Sequence, residues 1–338
     1  MTLTHRPLRA TAASVAILAL GAFGLTACAA DSEPAASNGA PASCEDFAQE
    51  ITVAQAPVTD FAPVWVAQQE GFFADHGLDV TLGEPAGTGA ESVALINSGQ
   101  VDLIAGSPSA TLSAASQGIM TEVVVGMTLF PDAEDRDPAA IIVSASSDIE
   151  TPADLEGKTV GVTSINSQQQ SKVMGTVDAD GGDASAVTFI QVPTASMASL
   201  LEKGEIDAIQ PFEPVGTQLT ANPAFRVIGY ANWQTIGGTP AMFLSTTPAW
   251  KDENPCAVEA VRGAISDAVD FINEEANADR FAEILAENTK SDVELMASVR
   301  TDDFTTELTE ASYEKLAEHL VEYGVLTGDA DIAAILGD

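Results

Sequence analysis

The chain has 338 residues, 46% of them hydrophobic, with 50 Asp and Glu against 13 Lys and Arg and a formal charge of −37. That excess of acid excludes nucleic acid as a partner, since gripping a phosphate backbone needs clustered Lys and Arg, and it keeps the chain away from anionic lipid. The acids form no long run, so they read as a solvated surface on a chain long enough for two lobes or domains.

The chain begins with a positive leader, Arg6 and Arg9, and an apolar stretch over 13–23 (ASVAILALGAF). Leu25-Thr26-Ala27-Cys28 then matches a lipobox, in which cleavage precedes the cysteine. The apolar run is too short for a membrane span. Residues 1–27 are read as a lipoprotein signal peptide, with Cys28 as the lipidated residue. Residues 28–47, small, polar and Pro/Gly-containing, are read as a flexible tether. Acyl chains on Cys28 would anchor the protein to the extracytoplasmic face of the cell membrane. Two cysteines remain, Cys44 and Cys256. In an oxidising compartment the expectation is that they pair, stapling the start of the folded part to a late helix; the alternative is two separate buried thiols.

The folded part alternates short β-rich runs with amphipathic stretches. Strands are predicted at 51–56, 78–82, 101–105 and 122–127, with helical stretches near 64–75, 92–98 and 110–117. Such repeats imply a parallel sheet covered by helices on both faces. The pattern restarts at 141–144 and continues with strands at 159–163, 187–191, 206–210 and 225–229 and helices at 167–177 and 196–203. From Asn254 the chain reads as helical. Asn254 is placed to cap and Pro255 suits a first turn. Val258, Val261, Ile265, Ala268 and Ile272 form a stripe suited to packing on a sheet. A last long helix, 310–323, ends at Gly324.

This order predicts two α/β lobes, the second inserted into the first: 48–130 with 240–338, and 138–232. Crossovers fall near 128–138 and 230–242. Ligands of open α/β sheets sit beyond the carboxyl ends of the strands, so two lobes facing each other there make a cleft, and two crossovers make a hinge.

The motifs themselves are familiar. Ala62-Pro63-Val64-Trp65-Val66-Ala67, followed by Glu70-Gly71-Phe72-Phe73-Ala74-Asp75-His76-Gly77-Leu78-Asp79-Val80, resembles the opening of the nitrate/sulfonate/taurine solute-binding family, which also includes the thiamine-pyrimidine (THI5-like) binders. Ser98-Gly99-Gln100-Val101-Asp102, Ile149-Glu150-Thr151-Pro152-Ala153-Asp154-Leu155-Glu156-Gly157-Lys158 and Glu202-Lys203-Gly204-Glu205-Ile206-Asp207-Ala208 before Glu213-Pro214 continue the likeness. The resemblance implies a type II periplasmic-binding-protein fold, two α/β lobes around a hinged cleft with the C-terminal helices packed on lobe 1. It also implies one small-molecule ligand, an ABC permease membrane subunit as partner, a monomer, and no cofactor or metal.

The strand-end loops then supply the candidate ligand contacts: Thr59, Asp60 and Phe61; Thr88; Ser107 and Ser109; Ser164, Asn166 and Ser167; Phe212 and Glu213; and Trp233 beside the second crossover. Helix N-termini bind anions or acceptors through free N–H groups without any Lys or Arg. Ser107, Asn166 and Ser167 suit that role and equally suit helix capping, and the two roles are compatible. Asp60 is read slightly in favour of a cap. Asp60 and Glu213, with no basic residue in the loops, lean toward an amine or a neutral heterocycle over a sulfonate. Phe61, Trp65, Phe130, Phe212 and Trp233 could stack on a flat ring, most of them being expected in the core.

Catalysis finds little support. The three histidines are His5 in the leader, His76 in a surface turn and His319 at a solvent-like helix position. Gly-x-Ser-x-Gly, His-Glu-x-x-His and Cys-x-x-Cys are absent. Gly87-Thr88-Gly89-Ala90-Glu91-Ser92 lacks the third glycine of a dinucleotide fingerprint and reads as a tight turn. The expected function is therefore capture of a small nitrogen- or sulfur-containing nutrient for an importer. A signalling or scaffold binder of the same fold, and a pyrimidine-metabolism enzyme, are the alternatives.

Overall fold

The computed structural model describes residues 44, 47–56 and 58–337. The expected signal peptide, Cys28 and nearly all of the expected tether lie outside the described residues. Among the described residues no helix is long and apolar enough to cross a membrane.

The first lobe opens with β1 (Gln49–Ala54), a 3-10 turn (Thr59–Phe61), α1 (Ala62–Gln69), α2 (Phe72–Asp75), β2 (Leu78–Leu82), α3 (Gly89–Asn97), β3 (Leu103–Gly106), α4 (Pro108–Ala115) and β4 (Glu122–Leu129). The second contains β5 (Ala140–Ser144), β6 (Thr159–Val162), α5 (Gln168–Ala179), β7 (Thr188–Gln191), α6 (Thr194–Glu202), β8 (Ala208–Ile209), α7 (Val215–Thr220) and β9 (Phe225–Tyr230). The chain then returns as β10 (Pro240–Thr246), α8 (Pro248–Glu253), α9 (Pro255–Asn273), α10 (Ala278–Thr289), α11 (Val293–Met296), β11 (Asp303–Phe304), α12 (Glu310–Glu322) and α13 (Ile332–Leu336).

Two separate sheets result, ordered β11-β4-β10-β3-β1-β2 and β7-β6-β8-β5-β9. The architecture is the type II periplasmic-binding-protein fold. The sheets are mixed, not purely parallel: β10 runs antiparallel to β3 and β4, and β5 antiparallel to β8 and β9. The reason is topological. A βαβ strand ends at the edge facing the other lobe, whereas a strand that arrives from the other lobe starts there, so it must run the opposite way. Strand β10 lies partly in the stretch expected as crossover; its PAMFLST run is almost wholly buried between β3 and β4.

The helices follow local rules with two corrections. Gly71 takes φ +87°, so the expected helix over 64–75 is two, α1 and α2. Asn254 stands at the N-cap of α9 but its side chain caps nothing; Nδ2 donates to the Trp250 carbonyl and Oδ1 accepts from Gln49. The α9 stripe Val258, Val261, Ile265 and Ala268 is buried in the first lobe's core with Phe61, Trp65 and Met127. Each such aliphatic side chain contributes about 1.5–3 kcal/mol by leaving water. Tyr313, Leu316 and Leu320 of α12 join Phe130 and Phe243 in an adjoining cluster, so the C-terminal helices cover the first lobe. Cys44 and Cys256 form a disulfide with Cα atoms 5.4 Å apart, tying the start of the folded part to α9.

Candidate functional site

The carboxyl ends of β1, β3 and β8 converge where the lobes meet. After β1 the chain turns at Thr59–Phe61, and the turn separates its side chains. Phe61 points inward, fully buried and edge-to-face on Trp65 at 5.6 Å. Thr59 and Asp60 line a cavity between the lobes. Its far wall is Gln210, Pro211, Phe212 and Glu213, the loop after β8, and Phe130 and Asn232 from the two crossovers close its side. The free space is about 20 Å³, room for one or two water molecules.

Lys172 occupies the centre. It stands on α5, is 2% exposed, and its ammonium donates to Asn232 Oδ1 at 2.9 Å. The same ammonium lies 5.1 Å from the Phe130 ring centre and 5.8 Å from that of Phe212. Burial pulls the Lys172 pKa down; Asp302, Asp137 and Asp60 oppose that pull. None of the three is close enough for a direct ion pair. The carboxyls respond in kind. Burial raises Asp60 to about 6, against the pull of Lys172, and raises Asp302 well above the usual range. Asp137 is fully buried and accepts main-chain N–H bonds from Ala139, Asn232 and Trp233 at 2.7, 2.7 and 2.9 Å, tying the two crossovers together.

Glu213 is buried, and burial raises it to about 7 although the Thr217 N–H bonds Oε2 at 2.9 Å. Gly216 is needed beside it, because a Cβ there would come within 2.7 Å of Glu213 Oε1. Gln210 Oε1 is buried and meets no donor of the protein. The walls thus offer acceptors, carboxyls and ring faces, with one cation already engaged. They suit a group that donates hydrogen bonds.

A second, wider opening adjoins the first, sharing Pro138 and Glu213. It is a groove of about 280 Å³ between α7 and β9 of the second lobe and the segment around Arg300 of the first.

Of the sequence-derived candidates, Thr59, Asp60, Phe212 and Glu213 line the cavity together. The others stand elsewhere. Phe61 is in the core. Thr88 caps α3 by accepting the Glu91 N–H. Ser107 and Ser109 bond each other at 3.1 Å, and the Ser109 N–H donates to Gln168 Oε1 across the lobes. Ser167 caps α5, Ser164 accepts the Ser167 hydroxyl through its carbonyl, and Asn166 is exposed at φ +53° with its N–H given to Gln170. The N-termini of α4 and α5 therefore spend these groups on the protein itself. Trp233 lies outside the cavity wall and gives its main-chain N–H to Asp137.

Three readings are corrected. Asp60 caps nothing, since its turn starts at Val58 with no side-chain cap. The cleft has a basic residue, Lys172, although the strand-end loops have none: it lies five positions beyond Ser167, and one helical turn brings it back. His319 is 8% exposed, not solvent-facing. Asp302, Asn232 and Gln210 were also missed. Asp302 sits far along the chain in an irregular segment, where no periodicity marks it.

Among the described residues no group of His, Cys, Asp and Glu is arranged to hold a metal ion. No curated protein matches the chain. Solved structures match over most of its length. A protein from Bordetella bronchiseptica RB50 is 25% identical, with TM-score 0.69 over 85% of this chain and 92% of that one. The alkanesulfonate-binding protein SsuA from Xanthomonas axonopodis pv. citri is 17% identical, with TM-score 0.70 over 85% and 97%. The nitrate-binding protein NrtA from Synechocystis PCC 6803 is 16% identical, with TM-score 0.70 over 86% of each. At such identities these likenesses speak for the fold, and the family is decided by sequence: the NMT1/THI5-like profile matches residues 58–278, well over half of the chain, which belongs to that family.

Proposed function

We propose that this chain is the extracytoplasmic substrate-binding component of an ABC importer, held to the membrane through a lipid on Cys28. It captures a small nitrogen- or sulfur-containing nutrient, a heterocycle or amine in preference to a simple sulfonate or nitrate. The observation that carries the reading is the buried polar cavity at the meeting of two lobes joined by two crossovers, 130–139 and 231–239. Two strands of chain bending together make a hinge, and closure over a solute supplies a shape that a permease can recognise. Asp60, Glu213 and the unpartnered Gln210 oxygen favour a donor-bearing ligand. Lys172 does not reverse this preference, because its ammonium is already held by Asn232 and outnumbered by carboxyls.

Binding is favoured over the enzyme alternative, since solved structures that match this chain include alkanesulfonate- and nitrate-binding proteins. The cavity wall has no histidine, cysteine or serine to serve as a nucleophile–base pair.

A melting-temperature screen against pyrimidines, amines, taurine, alkanesulfonates and nitrate tests the reading. A ligand at about 100 times its Kd stabilises by about 2.7 kcal/mol. A donor-bearing solute is expected to raise the melting point and to shrink the radius of gyration in solution scattering. No response to any solute would count against uptake.

A further inference from the structure

We propose that Lys172 is a tethered occupant of an ammonium site, clamping the lobes across the inner cavity until a solute displaces it. This rests on the solute-binding reading above and adds how that site is regulated.

The ammonium reaches the cavity from α5 of the second lobe. Asp60 and Asp302 act on it from the first lobe and Asp137 from the first crossover. One helical turn earlier, Gln168 Oε1 accepts the Ser109 N–H of the first lobe at 3.2 Å, so this turn of α5 already spans the cleft. Phe130 and Phe212 lie 5.1 and 5.8 Å from Nζ, within the range over which a ring face attracts a cation. Asn232 is turned to serve the ammonium. Its Nδ2 donates to Asp302 Oδ1 at 3.5 Å and its main-chain N–H to Asp137 Oδ2 at 2.7 Å, which leaves Oδ1 as the acceptor toward Nζ at 2.9 Å. Ring faces, carboxyls and an oriented amide oxygen are also what a free alkylammonium needs.

The grip on Lys172 is nevertheless light. An ammonium has three N–H donors. Among the described residues Nζ makes one hydrogen bond, to Asn232, and no direct ion pair. Gln210 Oε1, buried in the same wall, meets no donor of the protein. A solute that brings its own donors can serve acceptors that the tethered chain does not reach. It cannot sit beside Lys172, where about 20 Å³ is free, so it enters as the Lys172 ammonium leaves. The solute thus exchanges one clamp for another, and its apparent affinity is reduced by the displacement.

The test uses the whole chain with Lys172→Ala and Lys172→Met. n-Propylammonium matches the piece that the alanine variant lacks, and n-propanol is its uncharged counterpart. Melting curves and calorimetric titrations are recorded at constant ionic strength. n-Propylammonium is expected to raise the melting point of Lys172→Ala saturably and to bind it at least about tenfold more tightly than wild type, with n-propanol moving nothing. If the alanine variant is unfolded before titration, its native near-UV circular dichroism is expected to return with the amine and not with the alcohol. Lys172→Met keeps the side-chain volume without the charge, and its radius of gyration in solution scattering is expected to exceed that of wild type. Equal affinity of wild type and Lys172→Ala for the amine, an equal response to the alcohol, no response of the alanine variant, or equal radii for Lys172→Met and wild type overturns the proposal. The amine is read on the variant with no nutrient added, so these results leave solute uptake standing. A wild type that answers no solute, beside a Lys172→Ala that takes up the amine, removes uptake and keeps the ammonium site alone.

Discussion

Lys172 shows how a buried charge is tolerated in a protein this acidic. Three carboxyls stand around one ammonium, and the deficit of positive charge is met by protons, with burial raising Asp60 to about 6 and Asp302 well above the usual carboxylate range. Removing the ammonium leaves the carboxyls without a counter-charge, a change that costs on the order of 3–5 kcal/mol for buried pairs. Lys172→Met is therefore expected to lower the melting point more at pH 8 than at pH 5, where protons replace the lost cation. Equal loss at both values would contradict this. Glu213 supplies a second pH effect. Its folded-state pKa of about 7 lies above the ordinary 4.5, so the folded protein binds the extra proton between those values. Stability from this group is thus complete below pH 4.5 and is lost as pH rises to about 7, by about 3 kcal/mol in all. Chemical denaturation of Glu213→Gln across that window is expected to show a flatter stability profile than wild type.

Helix α12 packs on the first lobe through Tyr313, Leu316 and Leu320 and also reaches α5 of the second. Gly175 makes the approach possible, since a Cβ there would sit 3.0 Å from the His319 ring. Tyr323 adds a hydroxyl bond to Asp178 at 3.1 Å, and its ring lies 4.8 Å from that of His319. Burial of His319 lowers its pKa to about 4, against a bond to the Ser171 carbonyl that raises it. Here the folded value lies below the unfolded 6.5, so stability is present above pH 6.5 and falls as pH drops toward 4, opposite in sign to Glu213. His319→Phe keeps a ring on Tyr323 and removes the titration. Its unfolding free energy is expected to hold between pH 6.5 and 4 where wild type loses up to about 3 kcal/mol. Parallel profiles would place His319 outside the pH response. The effect belongs to the seam between two helices, because neither helix alone buries the ring.

At the scale of the molecule, two sheets share one cleft, bridged by the Ser109–Gln168, Gln218–Ser291 and Tyr323–Asp178 bonds, while Cys44–Cys256 staples the first lobe alone. Much of this was legible in the chain. The β-rich runs, the restart after the first crossover and the α9 stripe are local periodicities, set by side chains a few residues apart, and they led to two α/β lobes. The family motifs are local as well. The loops holding Thr59, Asp60, Phe212 and Glu213 were found because strand ends dictate where a cleft opens. What escaped is non-local. The direction of β10 depends on where the chain re-enters the first sheet. Whether Ser107, Ser109 or Ser167 faces a ligand or another helix end depends on the opposing lobe. Lys172 and Asp302 are 130 residues apart, and no pattern that a window can register joins them. Sequence by itself determined the elements, the lobes and the loops, because hydrophobic spacing acts within single elements; only the tertiary structure decided which charges meet, because burial and mutual charge act through space between segments distant along the chain.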